Sequence, residues 1–349
     1  MLKGQKMTTM TKPALQDEIL LRIQKNFPLN QRPFEVIANE LKTDEQTVLH
    51  LLNDAKNRGV IRQTSAIFDT KKLGYVSSLV AFEVDENSID FVVKILNAHP
   101  GISHNYERNH TFNIWFTLAV PPDSKLGLEK TIEILAQQTK AKNHIILPTL
   151  KLFKIAVKLD TTSKELKKEK VEEKIYSALE LKGEDFEVIK LLQHDIDFVS
   201  EPFKKIIEKL NITYDELFNN IDKFYQAGVM RRYASILNHR KAGFNANAMV
   251  VWDIDEKNAS NIGKEAASFS AVSHCYLRPK YDNWNYNLFT MIHGKTKEDT
   301  QNVIEQIANS IEHQAFMPLY SSREFKKVRI NYFSDAFYIW ETLNSKGVL

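Results

Sequence analysis

The stretch GVIRQTSAIFDTKKLGY (59–75) aligns without gaps to GVMRRYASILNHRKAGF (228–244). SHNYER (103–108) aligns to SHCYLR (273–278), and FN (112–113) to YN (286–287) after a short insertion in the second copy. LFKIAVKLD (152–160) is echoed by EFKKVRINY (324–332). Four matches in the same order predict an internal duplication, so whatever one half folds into, the other must be able to fold into as well.

At 349 residues, each copy is long enough to bury a core of its own. The formal charge of +3 is too near balance to argue by itself for a nucleic-acid surface. A single cysteine, Cys275, rules out an intrachain disulfide and speaks against a secreted, cross-linked protein. MLKGQKMTTMTK (1–12) lacks a signal-peptide core, and no apolar run is long enough to span a bilayer. The expectation is a cytoplasmic protein with no membrane partner.

Each half has two parts. The first is helical: QDEILLRIQKNF, PFEVIANELK and DEQTVLHLLNDAKNRG place apolar residues three and four apart. Pro33 suits a first helical turn, Thr43 with Gln46 reads as a capping box, and Gly59 closes the last helix. Three such helices predict a helix-turn-helix, with GVIRQTSAIFD as its β-wing. DFEVIKLLQ, PFKKIIEKL and TYDELFNNIDKFYQAG repeat the plan.

The second part alternates. VSSLVAFEV reads as a strand, SIDFVVKILNAH as a helix, ISHNYERN with FNIWFTLAV as a hairpin, LEKTIEILAQQT as a helix and KLFKIAVKL as the last strand. The second copy runs from ANAMVVWDI to REFKKVRINYF in the same order. The predicted fold class is therefore α+β: a tandem duplication, each half a winged helix-turn-helix followed by a ferredoxin-like βαββαβ domain. The expected boundaries are an N-terminal tail (1–13), a helix-turn-helix (14–75), a ferredoxin-like domain (76–158) and a Lys/Glu-rich linker (159–184). A second helix-turn-helix (185–244), a second ferredoxin-like domain (245–333) and a C-terminal tail (334–349) complete the chain. This order of parts resembles the Lrp/AsnC transcription regulators.

A recognition helix must approach phosphates. The first candidate offers Asp44, Glu45 and Asp54 against Lys56 and Arg58; the second offers Asp215, Glu216 and Asp222 against Lys223. That balance argues against nucleic acid as a partner. The chemistry-bearing residues cluster in the α+β parts instead. On a strand, His274, Tyr276 and Arg278 share one face, as do His104, Tyr106 and Arg108. Packing alone does not call for such a row. A flat ligand bearing several carboxylates does: Arg grips carboxylates, aromatics line ring faces, and His trades protons near neutral pH.

KKLGY (71–75), SHNYERNH, FNIWFTL and LPTLKLFKIAV resemble the A subunit of siroheme decarboxylase. HRKAGFNANAMVVW, SHCYLRP, YNLFTMIHG and SREFKK are similar to its B subunit. The similarity covers nearly the whole chain, which thus resembles a fusion of two subunits that normally pair. The resemblance implies oxygen-independent loss of CO₂ from the C12 and C18 acetates of siroheme, giving 12,18-didecarboxysiroheme for the alternative haem route or haem d1. It implies no cofactor beyond the iron that siroheme itself carries, because the macrocycle can act as the electron sink. Siroheme is the expected partner, and a homo-oligomer would form through the ferredoxin-like domains. The alternatives are an Lrp/AsnC-type regulator and a tetrapyrrole sensor that releases DNA.

On this reading His274 is the expected proton donor and His239 a second acid or base. Arg231, Arg232 and Arg278, then Arg240 and Lys241, are candidate carboxylate anchors. Tyr233, Tyr276, Trp284 and Tyr286 pack on the ring, hydrogen-bond a carboxylate, or serve the core. Cys275, out of phase with His274, is expected to be a small buried residue. The first half has RQT (62–64) where the second has RRY (231–233), and DTKK (69–72) where it has NHRK (238–241). It is either a degenerate scaffold or lends His104, Arg108 or His110 to a shared interface. One complete site, in the second half, is expected. No resident metal is expected, since the His residues lack close ligand spacing and one thiol gives no pair.

Overall fold

The computed structural model describes residues 12–155, 177–237 and 246–345. The first half runs α1 (Lys12–Lys25), α2 (Pro33–Glu40), α3 (Glu45–Asn57), β1 (Ile61–Phe68), β2 (Val76–Glu83), α4 (Ile89–Ala98), β3 (Ile102–Arg108), β4 (Ile114–Val120), α5 (Gly127–Thr139), β5 (Asn143–Pro148) and β6 (Lys151–Ile155). The second runs α6 (Gly183–Leu192), α7 (Lys204–Leu210), α8 (Tyr214–Gln226), β7 (Met230–Leu237), β8 (Ala246–Asp253), α9 (Ala259–Ser268), β9 (Val272–Leu277), β10 (Leu288–Gly294), α10 (Lys297–Ser310), β11 (Ala315–Lys327) and α11 (Asp335–Asn344). The duplication is visible element by element. The Lys/Glu-rich linker expected at 159–184 falls mostly outside the described residues, and α6 begins within its last turn.

The chain forms two compact units, and they do not follow the halves. Among the described residues, 12–73 join 177–237 in one, and 74–155 join 246–345 in the other. In the helical unit Pro33 opens α2, and Gly59 adopts φ +68 behind α3 with its N–H on the Lys56 carbonyl. The cap of α3 is Asp44 rather than Thr43: its carboxylate accepts from the Thr47 amide at 2.8 Å. A carboxylate one residue further along meets the helix dipole as well as the free N–H, so it displaces the hydroxyl. The expected wings do not fold within their own halves either. β1 and β7 pair with each other, antiparallel, Ser65 opposite Ala234. The aromatic core is shared likewise: Phe27 and Phe34 of the first half pack edge-on against Phe203 and Phe198 of the second.

In the α+β unit, the described strands form one sheet in the order β5-β2-β4-β3-β11-β8-β10-β9-β6. Each half closes its βαββαβ with a strand other than the one expected. β5, formed by NHIILP, pairs with β2, and residues 315–320 of β11 pair with β8. KLFKI (β6) and SREFKK (the end of β11) run onward to the opposite half, β6 onto β9 and β11 onto β3. These are exchanged arms. Their anchors repeat: Lys154 donates to the Phe269 carbonyl at 2.9 Å, and Lys326 to the Asn97 and His99 carbonyls at 2.7 and 3.1 Å. Each lysine thereby sets its positive charge on carbonyls at the C-terminal end of α9 or α4 in the other half. The segment expected as a C-terminal tail contains α11, which sets Phe337 into the core of the first half.

Each half-sheet buries one face under its own two helices, around Phe82 and Phe116 in the first half and Trp252 and Leu288 in the second. The other faces contribute to a common core of Trp115, Leu147, Met249, Phe289 and Leu319. It is on this second face that the His-Tyr-Arg rows lie.

Candidate functional site

Both rows have the expected alternation. His274 stacks on Tyr276 at 6.1 Å and 21°, and the Arg278 guanidinium lies 4.9 Å from the Tyr276 ring centre. In the first half His104 stacks on Tyr106 at 6.2 Å and 26°, with Arg108 at 5.5 Å from that ring. Cys275 points to the other face, buried against α9 with its thiol on the Gly263 carbonyl, and burial pushes its pKa up.

The alternation breaks at the residue before each histidine. Along β9, His274 faces Met291 but Val272 faces Ile292, so Ser273 is an extra residue in the ladder. Along β3, His104 faces Thr117 and Ile102 faces Leu118, leaving Ser103 extra. A bulge turns its extra residue out of strict alternation. Here it sets a serine beside the histidine that follows: Ser273 Oγ lies 2.8 Å from His274 Nδ1, and Ser103 Oγ 2.9 Å from His104 Nδ1. With Nδ1 engaged, His274 keeps Nε2 for other partners.

Beyond the serine the halves diverge. Ser273 Oγ also lies 2.7 Å from His293 Nε2, and His293 Nδ1 lies 2.7 Å from Asn247 Oδ1. Ser103 Oγ instead meets Thr117 Oγ1 at 2.7 Å. The positions matching His293 and Asn247 in the first half are Ala119 and Ser77. Burial lowers the pKa of His274. Burial first, then the neighbouring His274 and Lys327, lowers that of His293 to about 4. Sequence reasoning missed Ser273, His293 and Asn247. His293 stood in the quoted motif YNLFTMIHG, but strict alternation set Ser273 on the wrong face and hid the connection.

Several expected site residues have other duties. Arg278, expected as a carboxylate anchor, and Arg108, which the first half was expected to lend to a shared interface, are 8% and 5% exposed. Arg278 Nη1 donates to the Leu147 carbonyl and Arg108 Nη1 to the Leu319 carbonyl, each reaching the closing strand of the opposite half. Burial lowers both guanidinium pKa values to about 10. Through Nη1 each ties its own strand to the closing strand of the opposite half. Trp284, for which the ring, a carboxylate and the core were all open, is 2% exposed and packs on Trp115, Phe112 and Tyr286 as a hub of the shared core. Tyr286 is half-buried beside it. His110 accepts the Phe112 amide on Nδ1 at 3.0 Å and meets Trp284 edge-on at 5.5 Å; burial lowers its pKa.

The remaining candidates lie in the helical unit. Tyr233 is buried among Phe27 and Phe203, so it is a core residue rather than a ligand contact. Arg231 is paired with Asp69 of the first half at 2.8 Å, which occupies the charge expected for a carboxylate. Arg232 is half-buried opposite Ile67 on the β1–β7 ribbon. His239, Arg240 and Lys241 lie outside the described residues. Among the described residues no three His, Cys, Asp or Glu side chains gather in a way that could hold a metal ion, and no helix is long and apolar enough to cross a membrane. The cations of the two candidate recognition helices are engaged within the protein: Arg58 with Asp54, Lys56 with Asp195, and Lys223 with Asp185.

Residues 72–154 and 241–326 match the AsnC-like ligand binding domain, and residues 16–62 match the siroheme decarboxylase NirDL-like HTH domain. The chain is 40% identical to a siroheme decarboxylase of Hydrogenobacter thermophilus over 93% of its own length and 96% of that protein. It superposes on the crystal structure of the siroheme decarboxylase NirDL with a TM-score of 0.78 at 34% identity, covering 96% of this chain and 99% of that one. A second crystal structure of NirDL, in complex with an iron-uroporphyrin III analogue, gives the same TM-score at 33% identity, over 96% of this chain and all of that one. With its fold and its relatives of nearly equal length in agreement, the chain belongs to the siroheme decarboxylase family.

Proposed function

We propose that this chain is a siroheme decarboxylase. It removes CO₂ from the C12 and C18 acetates without oxygen and gives 12,18-didecarboxysiroheme. In each step a CH₂–COO⁻ group becomes CH₃: the carbon–carboxyl bond breaks, CO₂ departs, and the electron pair left behind takes up one proton. The macrocycle serves as electron sink, and the iron arrives with the substrate, so the protein's own task is to hold the ring and deliver a proton. His274 is the donor. The observation that carries this is its setting: a half-buried imidazole whose Nδ1 is held by the bulged Ser273 and whose ring is stacked on Tyr276. Orientation of that kind is what general acid catalysis needs. The relative crystallised with an iron-uroporphyrin III analogue supports a carboxylate-rich tetrapyrrole as the ligand.

The helix-turn-helix parts favour no DNA role, because the cations of α3 and α8 are tied up in ion pairs. The test is anaerobic incubation with siroheme followed by mass spectrometry. Loss of two CO₂ per siroheme is expected, and His274→Ala should retain siroheme without converting it. Tight binding of intact siroheme by the unmodified protein, with a gel shift on duplex DNA, would mark a sensor instead.

A further inference from the structure

We infer that Ser273, His293 and Asn247 form a proton-feeding chain that recharges His274, and that this chain is built in the second half alone. The inference rests on the decarboxylase reading above and deepens it. Three contacts of 2.7–2.8 Å connect four side chains from three adjacent strands: Asn247 on β8, His293 on β10, Ser273 and His274 on β9. The outer end is open, since Asn247 is exposed and His293 half-exposed, whereas Ser273 is buried. Protons can thus enter at one end and leave at the other.

The hydrogen-bond arithmetic fixes what the chain can do. Asn247 Oδ1 only accepts, so His293 Nδ1 carries a proton. When His293 is neutral, its bare Nε2 accepts from the Ser273 hydroxyl. Ser273 Oγ then accepts from His274 Nδ1–H, and His274 Nε2 is bare: in this state His274 has no proton to give. One added proton reverses the two bonds at Ser273 and leaves the one to Asn247 as it was. His293 becomes an imidazolium donating to both Asn247 and Ser273, Ser273 donates to His274 Nδ1, and His274 Nε2 carries the proton facing outward. Transfer of that proton to the carbon left by CO₂ returns the chain to its neutral state, with no net change except the one proton delivered. Because each turnover removes two CO₂, the chain must reload between the two steps.

The groups facing His293 are His274, Ser273 and Asn247, with the Lys327 charge on the arm of β11 near enough to lower its pKa. Burial and the Lys327 charge oppose the imidazolium, which makes the loaded chain a strong acid and reloading the pH-sensitive event. The first half cannot run this cycle from His104, because Thr117 takes the place of the second imidazole at Ser103.

Two measurements test the chain. In substrate-free protein with ¹⁵N-labelled histidine, His274 and His293 should titrate as a coupled pair, and Ser273→Ala should uncouple them. Independent titrations in the unmodified protein would overturn the chain whether or not siroheme is decarboxylated. In turnover, Ser273→Ala should slow CO₂ release by roughly a hundredfold. Asn247→Asp, which supplies a carboxylate to hold the imidazolium, should move the alkaline fall in rate to higher pH. A purely structural role would lower the rate at every pH and leave that limb in place. An unmoved limb in Asn247→Asp with undiminished turnover in Ser273→Ala would also overturn it. Failure of the unmodified protein to convert siroheme sinks the decarboxylase reading and leaves the titrations to decide the chain.

Discussion

Nη1 of Arg108, at the end of β3 in the first half, donates to the carbonyl oxygen of Leu319 on β11 of the second half at 2.7 Å. Arg278 mirrors it on Leu147. A pair of arginines that a surface reading assigns to substrate carboxylates is thus a double rivet between halves descended from one ancestor. The carbonyls belong to the closing strands β5 and β11, beside which the exchanged arms depart. Fixing those strands fixes the sheet that carries both histidines.

Arg108→Met should therefore act on stability before affinity. Removing a buried charged donor from a backbone carbonyl costs about 2 kcal/mol, the orphaned oxygen included. The urea midpoint should fall accordingly, while the dissociation constant for siroheme, measured well below that midpoint, stays within about twofold of the parent's. A carboxylate anchor would show the reverse pattern.

Gly263 on α9 makes the exchanged arm possible. A Cβ there would come within 2.3 Å of the Phe153 ring, which reaches in from β6. The contact is with a ring held in a core, so it cannot yield cheaply. Gly263→Ala should cost about 1–3 kcal/mol by overpacking. Limited proteolysis should then cut near residues 149–155 sooner than in the unmodified protein, because the arm is the element displaced.

The duplication, the helices and the facing of the His-Tyr-Arg rows were legible because each depends on local period: 3.6 in helices, 2 in strands. What was illegible depends on partners. The bulges at Ser103 and Ser273 add one residue relative to a neighbouring strand, and nothing in VSHCYL alone announces it. The arms β6 and β11 carry ordinary strand sequences, so their exchange is decided by which edge is free. Tyr233 and Trp284 stayed open between ligand and core for the same reason: polar tips do not reveal that Phe27 or Trp115 lies opposite. His293 stands in YNLFTMIHG, but its connection to His274 runs through the bulged Ser273, which strict alternation turns to the other face.

His99 should govern acid stability. It is fully buried, accepts the Gly101 amide on Nδ1 at 3.0 Å, and lies 4.2 Å from the Trp340 ring of α11. Burial first, then the Lys326 charge, lowers its pKa from 6.5 to about 3. Between those values the unfolded chain binds a proton that the folded chain refuses, so stability present above about pH 6.5 is lost as the pH falls toward 3. The loss is on the order of 5 kcal/mol. Trp340 emission should report it as α11 leaves His99, and His99→Gln should flatten the acid limb.

Lys326 should produce the opposite limb. Its ammonium donates to the Asn97 and His99 carbonyls from a half-buried position, and burial lowers its pKa below the usual lysine value. Above that lowered value the folded chain has released a proton that the unfolded chain still holds, so stability rises with pH until the unfolded lysine also titrates. Lys326→Met removes that rise, and it also withdraws a positive charge from His99. The acid limb described above should then become smaller and level off at a higher pH, with its onset near pH 6.5 unchanged, because one of the two influences holding the folded imidazole neutral is gone. Urea midpoints collected from pH 4 to pH 10 on the parent and Lys326→Met proteins test both limbs in one series; parallel curves would show that Lys326 is coupled to neither.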